Sequence, residues 1–271
     1  MTRYRLSEIY IYPIKSLAGV RMKSARVQEK GLEGDRRMML IDENNQFITQ
    51  RALPKMALFH VEWNEGLVTV SHKIKTDLHR ITIDPTAPIN SEHFKAMIWD
   101  DEVQVQEIAA IYSKWFSDAL EFNCRLVAFP EMNKRQVDVK YVPQESNVSL
   151  ADGYPFLVIG KESLRDVSER VGVELPIRRF RPNFFFEGGM PYDEDTWQDF
   201  YIGSVKFRGV KPCARCVLIT IDPNTGEKGV EPLKTLSSYR NKNGKVYFGQ
   251  NVIALQFGII NEGDDIVQAP D

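Results

Sequence analysis

Short apolar or β-branched runs closed off by turn residues repeat along most of this chain. Such runs predict strands over residues 6–12 (ended by Pro13), 38–41, 58–63, 67–71, 80–83 and 103–106. A turn at 42–45 with a returning strand at 46–49 predicts a hairpin. The period changes over residues 108–120, where Ile108, Ile111, Tyr112, Trp115, Phe116 and Leu120 share one helical face. Strand character returns at 123–129. Residues 130–147 show no apolar stripe and predict a long surface connection near a domain boundary. A second helix is expected over 161–171, with strands at 156–159, 184–187, 201–210, 217–222 and 252–257. No fixed-period repeat is present. The expected fold class is mainly β with a few helices (α+β), with barrel-like bodies.

Composition narrows the function classes without choosing one. The 271 residues suffice for one large domain or two ordinary ones, and 43% hydrophobic with 27% charged content is that of a globular protein. A net charge of -2 argues against a dedicated nucleic-acid or anionic-membrane surface. No apolar run reaches the roughly 20 residues that span a bilayer, and the N-terminus leads straight into a strand pattern without a signal peptide. Three cysteines are too few for a disulfide framework, so a reducing, cytoplasmic setting is expected.

Candidate chemistry gathers at Lys211-Pro212-Cys213-Ala214-Arg215-Cys216. A structural zinc site needs four N or S ligands, yet only Cys124 remains as a thiol and the histidines (His60, His72, His79, His93) all lie in the first third of the chain. A thioredoxin-type dithiol needs a helix starting at the motif, whereas the following residues read as a strand. Three thiols cannot make a four-thiolate cluster. There is no nucleophile elbow, no histidine after His93 and no glycine-rich phosphate loop. Two readings stay open: a single thiolate binding a metal that a cofactor brings in, with Arg215 keeping the Cys216 thiol ionised, or two cysteines serving as small hydrophobes at a hairpin end. Lys15-Ser16, just past the first strand, can hold a phosphate or be a solvated turn.

The C-terminal motifs carry a resemblance. Lys211 to Gly226, then Glu231-Pro232-Leu233-Lys234-Thr235-Leu236 and Phe248-Gly249-Gln250-Asn251, with Arg181-Pro182-Asn183 and Asp152-Gly153-Tyr154-Pro155, resemble the MOSC domain, the molybdenum cofactor sulfurase C-terminal-type domain. Tyr12-Pro13-Ile14-Lys15-Ser16 and Gly34-Asp35-Arg36 are similar to the N-terminal β-barrel domain that accompanies it. The pattern is nearest the bacterial YcbX type and more distantly the mitochondrial amidoxime-reducing component. The resemblance implies an N-terminal barrel over 1–120 and a MOSC domain over 121–271, with a cofactor site between them. It also implies a molybdopterin-dependent oxidoreductase that removes oxygen from N-hydroxylated bases or amidoximes. Cys216 would ligate molybdenum. Lys15, Ser16, Arg36, Asp152, Arg181, Asn183, Arg215, Gln250 and Asn251 would hold the pterin and its phosphate, and Asp152 is a conceivable proton donor. YcbX-type proteins carry a ferredoxin-like domain after this region, which is not expected here. Electrons would then come from a separate ferredoxin- or flavodoxin-type donor and its reductase. The alternative is a molybdopterin or sulfur carrier with no turnover of its own.

Overall fold

Strands form where one face of an alternating segment can be buried, and the strand Leu67–His72 shows the rule plainly. There Val68 and Val70 are fully buried while Leu67 faces solvent. The computed structural model describes residues 3–86, 92–142 and 145–269. The first half runs β1 (Tyr4–Ile11), β2 (Val20–Met22), β3 (Ser24–Gln28), β4 (Gly31–Leu32), β5 (Met38–Ile41), β6 (Phe59–Asn64), β7 (Leu67–His72), β8 (Ile81–Ile83), β9 (Phe94–Ile98), β10 (Asp101–Glu107), α1 (Ala110–Leu120) and β11 (Arg125–Ala128). The second runs β12 (Phe156–Gly160), α2 (Lys161–Val171), β13 (Phe184–Glu187), β14 (Asp199–Ile202), β15 (Val205–Arg215), α3 (Leu233–Tyr239), β16 (Asn241–Lys242), β17 (Lys245–Ala254), β18 (Gly258–Asn261) and β19 (Asp265–Gln268).

The protein is mainly β, as its pattern predicts. Its largest sheet follows the order β12-β13-β1-β19-β14-β15-β17, and β12 pairs with β17 as well, so the path closes into a barrel. Phe156, Phe184, Phe186, Phe200, Phe207 and Trp197 fill its interior. Phe156 stacks on Phe184 at 5.4 Å and Phe200 on Phe207 at 5.7 Å between ring centroids. Each such buried aromatic contributes about 1.5–3 kcal/mol through burial. A second body holds the sheet β5-β11-β10-β9, the sheet β6-β7-β8 and helix α1, around Phe59, Trp115 and Phe116. The strands are exchanged between the bodies. The chain's first strand, β1, lies between β13 and β19, and β3 pairs with β18. Strand β11, the last of the first half, stays within the second body, between β5 and β10.

Some expectations are corrected. The returning arm at 46–49 is reduced to isolated bridges: Phe47 pairs antiparallel with Ile41 and Ile48 N–H donates to Leu40 O, as the hairpin expects, while Gln46 pairs with Met97. On α1, Ile111 is exposed; Ser113 and Ala119 complete the buried face instead. The stretch after β11 is no plain surface connection: Val137, Val142 and Val148 pack under Ile253. Residues 217–222 do not form a strand. Val217–Thr220 is one 3-10 turn, with Ile219 in the core and Val217 exposed. The pairing of β15 with β17 ends at Arg215 opposite Val246, so the chain leaves the sheet there and its β-branched residues turn despite their propensity.

Candidate functional site

The site begins where β1 stops. Pro13 cannot extend the ladder, and the next residues fold back, with Lys15 N–H donating to Met38 O and Leu17 N–H to Ile14 O. Asp35, fully buried, ties this loop to two others. Its carboxylate accepts the Tyr12 N–H at 2.7 Å, Arg36 Nη1 at 2.6 Å and Asn183 Nδ2 at 3.2 Å. Asn183 Nδ2 also donates to Tyr10 O, while its Oδ1 accepts from Arg36 and from the Leu157 N–H. The side chain of Asn183 therefore serves the walls of the site. Tyr12 is sandwiched by two guanidinium groups, Arg36 at 4.4 Å and Arg181 at 4.2 Å from its ring.

Ser16, Arg36 and Arg181 all have left-handed backbones, with φ of 67°, 52° and 58°. Such conformations are costly for residues with a Cβ and gather at functional sites. All three line one cleft. It is also lined by Lys15, Arg51, Asp152, Tyr154, Asn183, Cys213, Arg215, Cys216 and Asn251. Five cationic side chains thus face a single lining carboxylate, Asp152.

Four of those cations are held in place by backbone carbonyls, two of them by a carboxylate as well. Lys15 Nζ donates to Leu150 O at 2.8 Å and to Asp152 Oδ1 at 2.5 Å. Burial pulls the Lys15 ammonium down to about 8, and Asp152 only partly restores it. Burial works to raise the Asp152 carboxyl, but the Lys15 charge and hydrogen bond, with Arg51 and Arg36, hold it well below the usual carboxylate range. Asp152 sits deep among protein atoms while water in the cleft still reaches 61% of its side chain. It is a carboxylate, ionised and paired, which does not suit a proton donor. Arg181 donates to Leu17 O at 2.6 Å, and burial lowers its guanidinium to about 10.

The cysteine motif enters on β15. Register shifts at Gly209/Lys211 and Pro212/Ala214 bend this strand, and the second coincides with a proline that has no N–H to offer. Cys216 then caps the 3-10 turn, with its residue exposed, while Cys213 is half-buried. The four-residue turn is too short for the helix dipole that lowers thiol pKa in dithiol oxidoreductases. Arg215 does not reach Cys216. Its Nη1 lies 3.3 Å from Cys213 Sγ and its Nη2 donates to Phe180 O. The arginine at Cys216 is Arg51, from the other body, with Nη1 3.7 Å from Sγ.

Of the expected residues, Gln250 alone does not line the cleft. Successive strand residues point to opposite faces, so Asn251 lines the cleft while Gln250 is buried against the far side near Gly209, its Oε1 without a partner among the described residues. Sequence reading passed over Arg51, Trp99 and Arg135. The last of these is buried and donates to Ser149 O, Ala151 O and Asp152 O, which fixes the Asp152 loop from behind. A lone arginine within the polar 130–147 stretch gave no signal of that role.

No group of three or more His, Cys, Asp or Glu able to hold a metal occurs among the described residues. A metal at Cys216 would take most of its ligands from elsewhere. Residues 145–267 match the MOSC domain model and residues 3–123 the MOSC N-terminal beta barrel domain model. Mitochondrial amidoxime-reducing component 1 of Mus musculus is 31% identical, over 96% of this chain and 81% of that protein. The chain belongs to the MOSC-domain family that includes the mitochondrial amidoxime-reducing components. The human component 1 is 30% identical over 96% of this MOSC-family chain and 82% of its own. The molybdenum cofactor sulfurase of Arabidopsis thaliana is 33% identical over 90% of this chain but only 32% of its own length. Among the described residues, no helix is long and apolar enough to cross a membrane, which says nothing of strands.

Proposed function

We propose that this MOSC-family protein is a molybdenum-cofactor oxidoreductase that removes oxygen from N-hydroxylated compounds such as amidoximes and N-hydroxylated bases. The observation that carries the proposal is the donor set of the cleft: one exposed thiol, Cys216, beside cationic groups anchored by backbone carbonyls. A soft thiolate suits a soft, redox-active metal, and lysine and arginine suit a phosphate-bearing cofactor. The molybdenum cofactor, when bound, would supply the two-electron chemistry that the side chains lack. Cys216 would hold the metal. Lys15, Ser16, Arg36, Arg181, Arg215 and Asn251 would hold the phosphate and pterin, and Asp152 would keep Lys15 oriented. In this reading the bodies correspond to the N-terminal barrel (1–120) and the MOSC domain (121–271), in a cytoplasmic protein that receives electrons from a separate ferredoxin- or flavodoxin-type donor.

Purification from cells able to make the cofactor, followed by metal and pterin assay, tests the proposal. Anaerobic addition of a chemical reductant and an amidoxime should then yield the amidine. Cys216→Ala should abolish metal retention, whereas Cys213→Ala should reduce it mildly; equal losses would contradict the single-thiolate assignment. The match to a cofactor sulfurase, together with the exposure of Cys216, favours a second reading, a cofactor or sulfur carrier. Retained cofactor without amidine formation would support that reading instead.

A further inference from the structure

Arg51 stands apart from the other cations of the cleft. Lys15, Arg36, Arg181 and Arg215 each donate to a carboxylate or a backbone carbonyl. The one hydrogen-bond partner of the Arg51 guanidinium among the described residues is Cys216 Sγ, at 3.7 Å. A guanidinium has five N–H groups, so Arg51 offers unspent donors beside the exposed thiol. Its position is nonetheless fixed. Gln50, its neighbour, donates to Ser16 O at 2.7 Å, and the guanidinium lies over the Trp99 ring at 4.1 Å.

Trp99 is an unusual residue to find there. It occupies the two-residue turn between β9 and β10 with φ of 57°, a conformation that favours glycine. A bulky side chain at such a position is a backbone outlier, and outliers of this kind gather where the side chain is used. Among the described residues the indole meets three partners relevant to the cleft. It carries Arg51 on its ring, packs against Phe47 at 5.0 Å, and donates its N–H to Asp152 Oδ1 at 3.3 Å. Trp99 therefore links Arg51 to the carboxylate that holds Lys15.

We propose that Arg51 is a substrate-binding residue on the open side of Cys216, donating hydrogen bonds to the oxygen of an N–O group or another oxyanion, with Trp99 as its positioning residue. This rests on the function proposed above for the substrate's identity, though not for the affinity of Arg51 for anionic oxygen. The oxygen that leaves an N-hydroxyl group as water gains electron density during reduction. A fixed guanidinium aimed at that position stabilises it without reorganisation. The overall change balances as R–NHOH with two electrons and two protons giving R–NH2 and water, the electrons coming from the separate donor.

Two measurements test it on the full-length chain. In cofactor-free protein, Cys216 is alkylated with iodoacetate and with iodoacetamide, and modification at that peptide is read by mass spectrometry. The ratio of the two rates cancels the fraction of thiolate, so it reports recruitment of the anionic reagent. Arg51→Ala should lower that ratio about fivefold, the effect of one charge at about 4 Å in water. Arg51→Lys should keep most of it, and Trp99→Leu should lose part. In cofactor-loaded protein with a chemical reductant, Arg51→Ala should lower kcat/KM for benzamidoxime by roughly tenfold or more, with Arg51→Lys and Trp99→Phe in between. An unchanged alkylation ratio in Arg51→Ala overturns the proposal, as does an unchanged kcat/KM in an active wild-type background. A wild type that reduces no N-hydroxylated compound refutes the reductase function, while the alkylation ratio still decides the role of Arg51.

Discussion

Asp35→Asn removes one charge from the point where three loops meet. The carboxylate is fully buried, and its Arg36 partner is 13% exposed, so water compensates little. Both oxygens accept from donors only, from the Tyr12 N–H on one side and from Arg36 and Asn183 on the other. An asparagine amide must therefore turn an NH2 group toward another donor, whichever way it flips, and Arg36 loses its counter-charge. Breaking a buried ion pair on one side costs about 3–5 kcal/mol. At about 2–4 °C per kcal/mol for a protein of this size, melting should fall by on the order of 10 °C. Urea denaturation and calorimetry of Asp35→Asn, Arg36→Met and the double variant measure the loss and its coupling. The double variant should cost less than the sum of the singles by about 2 kcal/mol, because no unpaired charge remains. A single-variant loss under about 1 kcal/mol, or strict additivity, would refute the view that this pair organises the cleft.

Two further predictions concern pH. The Lys15 ammonium is lowered to about 8 in the fold by burial, so between about 8 and 10.5 the unfolded chain binds more protons, and this group's contribution to stability rises with pH there. Anion binding has the opposite dependence: affinity for pyrophosphate should fall as pH rises from 7 to 9, by roughly fivefold. Calorimetric titration of a Cys213→Ala/Cys216→Ala protein avoids thiol ionisation, and adding Lys15→Met should flatten the dependence; a slope that persists excludes Lys15 as its source. Glu194 is the inverse case. It is fully buried behind α2, where its carboxylate accepts the Gly160 N–H and the Ser163 hydroxyl but faces no cation among the described residues, and burial raises it to about 7. The folded protein binds the extra proton between about 4.5 and 7, so this group's stability contribution is lost as pH rises through that window, by on the order of 3 kcal/mol. Glu194→Gln should remove that slope and be no less stable than wild type at pH 8, as read from melting temperatures; a stability loss at pH 8 would show that the charge is needed.

The parts legible in the sequence are those fixed by local pattern. Helix α2 lies at Lys161–Val171 and β13 at Phe184–Glu187, both as their periodicity and flanking residues predict. The run after Cys216 was not legible: Val-Leu-Ile-Thr has strand propensity, and only the end of its partner strand makes it turn. Helix α3 escaped notice because seven residues with one fully buried side chain, Leu236, carry almost no periodic signal. At the cleft, the lysine, arginines and cysteines were picked out by residue type and motif. Which arginine meets which sulfur depends on long-range packing: Arg51 and Cys216 are 165 positions apart, and no spacing rule joins them.

The exchange of strands between the two bodies has a consequence for handling the protein in pieces. A fragment cut near residue 120 would leave β13 and β19 without the strand that runs between them, and β18 without β3. It would also strip β5 and β10 of β11. Each piece would present several bare hydrogen-bonding edges, which are templates for aggregation. The largest sheet thus needs strands from both ends of the chain, and the cationic cleft takes its lining from both as well.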